Sequence, residues 1–320
     1  MQAGQAGDER SHAGERSDIV LFLVLPQPAR VITYGKGKMR IRRQVIDVHV
    51  HHPGATDPEM DAYVEQMEKY GVVAALVNAV ADDSYTELGG NESVLRVVRR
   101  HPGRLFGSAY IDLRDPVRKT IRTIEKYADA GFRFVKMFPN FGFDPNDECH
   151  EPVWRALEKR GMGCLSHCGW VAGPKQDRRL RIHSLTASPF HFEVPARRHP
   201  GINFIFAHFG GGATYLETIV LTSRLPNAYA DVTPGWGRWV FENRMPGLNA
   251  LYFTQVLYGT DNAGVRYGQD IQWWVRTLRA MGRSADDLDN FFCNNAARLL
   301  GIAPVQARES RPRGRALARK

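Results

Sequence analysis

The chain has 320 residues, 43% of them apolar and 24% charged, the composition of a globular protein with material for a large core. No run of eighteen apolar residues occurs, which excludes a helical membrane span. The formal net charge of +9 is concentrated at one end: Arg308, Arg311, Arg313, Arg315, Arg319 and Lys320 face only Glu309, leaving +4 for everything else, so the basic excess is largely a solvated tail and nucleic acid is not the expected partner.

Residues 1–38 are polar apart from a short apolar run, Ile19–Leu25, and read as an extension ahead of the fold. The mixed charge before that run and the lack of a small-x-small cleavage site speak against a signal peptide. From Gln44 onward β-branched or aromatic runs alternate with amphipathic stretches of helical length. The strands are expected at 44–50, 72–80, 105–111, 132–138, 162–167, 202–208, 227–233 and 255–261. The helices are expected at 58–70, 91–100, 116–130, 151–160, 188–199, 212–224, 237–250 and 268–281. Several helices close on a glycine just before the next strand, as in "EKYGVV", "ADAGFRF" and "EKRGMG", where a left-handed residue lets the chain leave the helix.

Continuously apolar strands imply burial on both faces and hence a parallel sheet. Eight right-handed strand-helix units close into a (β/α)8 barrel, expected over 39–304. A doubly wound sheet is disfavoured because no G-x-G-x-x-G follows the first strand. The segment "DDLDNFFCNNAARLLGI" reads as helices covering the barrel, and 305–320 as a disordered basic tail. Cys149, Cys164, Cys168 and Cys293 form no CxxC pair and suggest reduced thiols and a cytoplasmic location. "CLSHC" around His167 lacks the second cysteine pair that would complete a zinc site.

In such a barrel chemistry sits at the C-terminal ends of the strands. His49 and His51 end the first expected strand, Lys136 lies near the end of the fourth, His167 ends the fifth, His208 the sixth and Asp261 the eighth. Residues i and i+2 of a strand point to one side, so His49 and His51 can meet one ion, whereas His52 has the opposite parity and is not expected to bind it. By the same parity Asp47 falls on the ligand side, one step deeper, placed to orient a ligand ring.

Six stretches, "VIDVHVHH", "GFRFVKMFPN", "LSHCG", "FIFAHFGGG", "LYGTDN" and "NNAARLLGI", resemble in their order the amidohydrolase superfamily, and more narrowly its amidohydrolase-2 branch of metal-dependent hydrolases and non-oxidative decarboxylases. The resemblance covers about Gln44 to Ile302. It implies that His49, His51, His167 and Asp261 are metal ligands and that Asp261 also handles a proton. It makes His208 either a ligand to a second metal or a group facing substrate, and Lys136 either a carboxylated metal bridge or an ordinary ammonium. The implied cofactor is a divalent metal, zinc foremost and manganese as the alternative, with one ion expected rather than two.

These residues suit hydrolysis of an amide, lactone or ester of a small molecule, with Asp261 as base and His208 assisting. Decarboxylation of a small carboxylic acid is the alternative, and a non-catalytic binding barrel is a third reading. Family decarboxylases carry a long insertion after the first strand, whereas here only "HPGATD" separates His51 from the next helix, which favours hydrolysis. Trp170 and Trp236 are candidate walls of a substrate site. Lys175, Arg178, Arg179 and above all Arg181 are candidate anion contacts in the loop after the fifth strand. "FGGGA" after His208 resembles a phosphate-cradling loop only weakly. Self-association is left open.

Overall fold

The structure, a computed structural model, describes residues 44–52, 57–81, 88–171, 182–233, 235–261 and 267–302. The leading extension, the basic tail and the stretch 172–181 lie outside the described residues. Eight parallel strands form one sheet in sequential order: β1 (Val45–His51), β2 (Val72–Asn78), β3 (Leu105–Tyr110), β4 (Phe134–Met137), β5 (Gly163–Ser166), β6 (Phe204–Phe206), β7 (Ala228–Asp231) and β8 (Val256–Leu257). Across the seam between β8 and β1, Val48 N donates to Tyr258 O at 3.1 Å and Asp261 N to His49 O at 2.6 Å. The expected (β/α)8 barrel is the fold observed.

Each crossover carries a helix: α1 (Asp57–Tyr70), α2 (Asn91–Arg100), α3 (Val117–Asp129), α4 (Glu151–Lys159), α5 (Glu193–Arg198), α6 (Tyr215–Arg224) and α7 (Trp236–Glu242), with α8 (Tyr267–Ala280) after the last strand. Two expected helices are shorter than their periodicity suggested. The stretch 188–199 begins as a 3-10 turn, Pro189–Phe192, because its prolines remove donors that a continuous helix needs. The stretch 237–250 stops at Glu242, where Arg244 adopts a left-handed φ of 48° and Pro246 follows.

Strand alternation sorts the side chains into two separate apolar clusters. Ile46, Val48, Ala74, Leu76, Phe134, Leu165, Ile205 and Leu257 fill the barrel interior. Their neighbours Val45, Val50, Ala75, Val77, Val135, Cys164, Phe204 and Val256 face the helices. The interior layer continues into Cys293, Ala296, Ala297 and Leu300, so that a π turn at Asn290–Asn294 and α10 (Asn295–Leu300), reached through α9 (Ala285–Asp289), close the end of the barrel opposite the strand C-termini. The expected covering helices are therefore a basal plug.

In β1 the alternation is interrupted. Its pairing with β2 runs from Asp47 opposite Ala75 to Val50 opposite Val77, so three steps of β1 match two of β2, the signature of a β-bulge. Ile46 and Val48 point inward, and beyond the bulge His49 and His51 do so as well, with Val50 outward. Asp47 is left on the outer side, and its expected place on the ligand side, orienting a ligand ring, is corrected: it binds Thr260 and the α8 residue Tyr267.

Gly163 is paired with Phe134 across β4 and β5, and a Cβ on it would lie 2.2 Å from the Phe134 ring. The ring therefore occupies the volume that the missing side chain leaves inside the barrel. Gly163→Ala is expected to lower stability by about 1–3 kcal/mol through overpacking, read as a reduced urea midpoint, whereas an unchanged midpoint would show that Phe134 can move aside freely.

Candidate metal centre

Four imidazoles and two carboxylates converge at the mouth of the barrel. His49 and His51 bring their Nε2 atoms to 3.3 Å, and Asp261 Oδ1 lies 3.1 Å from the first and 3.2 Å from the second. These three form the one group among the described residues whose ligand atoms all lie within 4.8 Å of one another. Asp261 adopts a left-handed φ of 59°, unusual for a residue with a side chain, and that turn aims its carboxylate back over β1. Gly259 makes room for the arrangement, because a Cβ there would meet Thr233 at 2.9 Å and the Cβ of His49 at 3.1 Å.

The outer nitrogens of these rings are committed elsewhere. His49 Nδ1 is 2.9 Å from Asp231 Oδ2, and His51 Nδ1 is 2.8 Å from the Asn78 carbonyl. Both partners only accept, so each Nδ1 carries the proton and each Nε2 presents a lone pair to the interior. The Lys136 ammonium, 3.0 Å from His49 Nε2, already directs a positive charge at one of those lone pairs. Two imidazole nitrogens and a carboxylate oxygen are a donor set for zinc or a similar divalent cation, and the residues present fit such an ion.

His167 and His208 form a second pair across the mouth, with His208 Nε2 at 3.1 Å from His167 Nδ1. His208 follows β6 in a short turn where it and Phe209 both have left-handed backbones, φ 57° and 52°. Strict alternation after the inward Ala207 would send His208 outward, and the left-handed turn brings its ring back within 5.3 Å of the His49 ring. Backbone strain of this kind costs on the order of 1–3 kcal/mol per residue and persists where surrounding contacts enforce it. Here the His208 N–H is held by Asp231 Oδ1 at 3.0 Å and Thr233 Oγ1 at 3.2 Å.

Burial dominates the electrostatics. It holds His49 below its usual value, with the Lys136 charge adding to the effect. Burial and the neighbouring His208 keep His167 well below the usual range, and burial lowers His208 to about 4. Burial also brings Lys136 down to about 8. For Asp231 burial works in the raising direction, but His49, His208 and the Thr233 hydroxyl outweigh it and keep the carboxyl ionised. Asp261 is likewise held well below the carboxylate range by His49 and His51 against the desolvation that opposes them. At neutral pH the mouth therefore holds neutral imidazoles at His49, His167 and His208, ionised aspartates and one buried cation.

All the histidine positions expected from the sequence reach this mouth, as do Lys136 and Asp261, in two groups: His49, His51 and Asp261 on one side, His167 and His208 on the other. His52 leaves the strand and is buried against Gly89, whose Cβ would fall 2.7 Å from its Nδ1. Trp170 is 59% exposed and reaches the site through its carbonyl, 3.4 Å from His167 Nε2. Trp236 opens α7 and packs on Gly212. Arg181, with Lys175, Arg178 and Arg179, lies outside the described residues.

The glycines of "FGGGA" are explained by packing: added Cβ atoms at Gly210, Gly211 and Gly212 would strike Thr218, the Gly169 backbone and Trp236. Cys164 and Cys168 are buried free thiols, and burial raises both far above the ordinary range. Asp231, Thr233 and Asn78 were not anticipated. The signal for Asp231 was present, since an aspartate near the end of the apolar stretch "NAYADVT" meets the same criterion that singled out Asp261.

A parallel eight-stranded barrel with a His-His-Asp cluster at the C-terminal ends of its strands presents a candidate site for a divalent metal. The chain belongs to the amidohydrolase family, whose profile matches residues 46–302, and this family is metal-dependent. No curated protein matches the sequence. Among solved structures, an uncharacterized TIM-barrel protein of Bordetella bronchiseptica is similar at 16% identity and a TM-score of 0.63, over 81% of this chain and 98% of that one. The 2,6-dihydroxybenzoate decarboxylase from Rhizobium is similar at 13% identity and a TM-score of 0.57, over 81% and 99%. A protein of Pseudomonas putida assigned as a 2-pyrone-4,6-dicarboxylic acid hydrolase reaches 18% and 0.57, over 81% and 97%. At such identities the likeness is one of fold.

The lowered histidines predict acid sensitivity with a definite sign. Above about pH 6.5 His208 is neutral in both folded and unfolded chains, and between there and about 4 only the unfolded chain takes up its proton, so stability falls as pH falls through that window. The expected loss from His208 is about 1.4 kcal/mol per pH unit. Urea midpoints of chelator-treated protein at pH 7 and pH 5 should show it, with His208→Asn reducing the slope; equal slopes would contradict the assignment.

Proposed function

We propose that the protein is a metal-dependent hydrolase that cleaves an amide, lactone or ester bond of a small molecule. The observation that carries the reading is the cluster of His49 Nε2, His51 Nε2 and Asp261 Oδ1, mutually within hydrogen-bonding distance at the open end of the barrel. A divalent cation bound there would supply Lewis acidity, bringing the pKa of a water from about 15.7 toward 7 and polarising a carbonyl.

Asp261 is ionised and its side chain is 31% exposed, so it can take a proton from a water in the mouth and return it to the leaving group. His167 and His208 complete the polar rim, and His208 in its neutral form can orient the same water or the carbonyl oxygen. Lys136, buried beside His49, provides positive charge close to where an oxyanion develops. The connection between His51 and α1 is short, since α1 begins at Asp57. This supports hydrolysis over the decarboxylase alternative.

Decarboxylation of a small aromatic acid is the second reading, supported by a specific feature of the rim. Phe138 stacks on His167 at 5.2 Å and 19° and on Phe141 at 5.3 Å and 12°, with Tyr110 at 6.2 Å. This aromatic wall suits a planar ring.

Replacing His49 or His51 by Ala, or Asp261 by Asn, is expected to reduce the metal bound after purification without chelators by at least tenfold, read by elemental analysis. His52→Ala should retain metal at the wild-type ratio; equal loss from all four variants would contradict the ligand assignment. Incubation with panels of lactones, esters, amides and aromatic carboxylic acids then separates the chemistries. Acid production without carbon dioxide supports hydrolysis, carbon dioxide release from an aromatic acid supports the second reading, and inertness of the metal-loaded protein toward every panel would favour a binding barrel.

A further inference from the structure

Thr233, two residues beyond the end of β7, lies between an anion and an imidazole. Its Oγ1 is 2.7 Å from Asp231 Oδ1 and 2.6 Å from His208 Nδ1. It also lies 3.2 Å from the His208 backbone nitrogen. A threonine hydroxyl has one proton to give and two lone pairs with which to accept. All three capacities are in use here, and the direction of each is determined.

The Asp231 carboxylate can only accept, and the His208 backbone N–H can only donate. The hydroxyl proton therefore goes to Asp231, one lone pair receives the backbone N–H, and the other faces His208 Nδ1. That nitrogen must then carry a proton. The opposite order would place a hydroxyl lone pair against a carboxylate lone pair at 2.7 Å in a fully buried site, with nothing to compensate. Asp231 Oδ1 also accepts the Thr233 backbone N–H at 3.1 Å, so the hydroxyl is held by its own main chain as well.

We propose that Thr233 is a positioning residue that relays the Asp231 charge to His208, holding that ring in the Nδ1–H tautomer so that its Nε2 lone pair faces the mouth of the barrel. One carboxylate then sets two rings at once, His49 directly through Oδ2 and His208 through the hydroxyl on Oδ1. Both rings direct a basic nitrogen inward. In this tautomer Nε2 accepts from His167 Nδ1–H at 3.1 Å; without the hydroxyl, His208 would gain by moving its proton to Nε2 as His167 moves its own to Nε2, toward the Trp170 carbonyl at 3.4 Å. The ring would then offer the mouth a donor instead of a lone pair. The consequence for turnover rests on the hydrolase reading; the tautomer does not.

The test uses histidine labelled with nitrogen-15, with the His208 signals assigned by their loss in His208→Asn. Two-bond proton–nitrogen correlations of the ring distinguish the two tautomers directly. In chelator-treated wild-type protein and in Thr233→Ser, which keeps the hydroxyl, the Nδ1–H pattern is expected. In Thr233→Val, close in shape but unable to accept, the Nε2–H form should become the major species. In metal-loaded protein Thr233→Val should lower kcat by about tenfold to a hundredfold, the range typical of groups that orient site residues, with Thr233→Ser restoring most of it.

A wild-type spectrum dominated by the Nε2–H form would overturn the proposal, and it needs no Thr233 variant to fold. A Thr233→Val spectrum identical to wild type would overturn it as well. If the tautomers follow the expected pattern while no substrate of either panel is turned over, the relay stands and the hydrolase reading fails.

Discussion

The site depends on one buried anion. Asp231 is fully enclosed at the end of β7, and its two oxygens receive four hydrogen bonds that come from β1, from the turn after β6 and from Thr233 just past its own strand. A carboxylate in such surroundings is tolerable only when its lone pairs are satisfied and positive or polarisable partners surround it. Those partners are His49 and His208, so the requirement to satisfy the anion fixes the direction of two of the four imidazoles. Barrel packing places the strands, and this anion decides which atoms of the mouth are donors and which are lone pairs.

Three departures from regular backbone bring the functional side chains together at the mouth. The bulge in β1 shifts the phase between Asp47 and His49. The left-handed residues at His208 and at Asp261 rotate two functional side chains inward. The two outer contacts of Asp47, Thr260 on the approach to Asp261 and Tyr267 on α8, stabilise the bulge from behind: its Oδ1 accepts both the His49 and the Thr260 backbone N–H at 3.1 Å. Burial raises the Asp47 carboxyl to about 7 although four donors favour its ionised form. The cost of keeping it inside is another sign that the irregular register of β1 is enforced from outside the strand.

Much of this was legible in the sequence because period and chain order are local properties. Apolar runs of strand length separated by helix-length amphipathic stretches were enough for the barrel, and the parity of His49 and His51 placed both toward one centre. The expected strand ends were too long at 207–208 and 258–261 because the mouth residues leave the ladder to serve the site, and nothing in "FAHFG" or "YGTD" announces a turn without glycine at its pivot. Parity failed at Asp47 for a similar reason: a bulge with no glycine or proline carries no local mark. Thr233 was hidden because its role is defined by Asp231 and His208 together, a relation across 25 residues that no spacing rule encodes.

The basal plug has a practical side. Because α10 packs its apolar residues under the interior layer of Ile46, Val48 and Leu257, the described chain ends at Ile302 on the side of the barrel away from the histidines. A fluorophore, affinity handle or solid support attached at that residue would be joined at the closed base. Immobilised molecules would then present their open mouths to the solution, a favourable orientation for a flow reactor or a binding sensor.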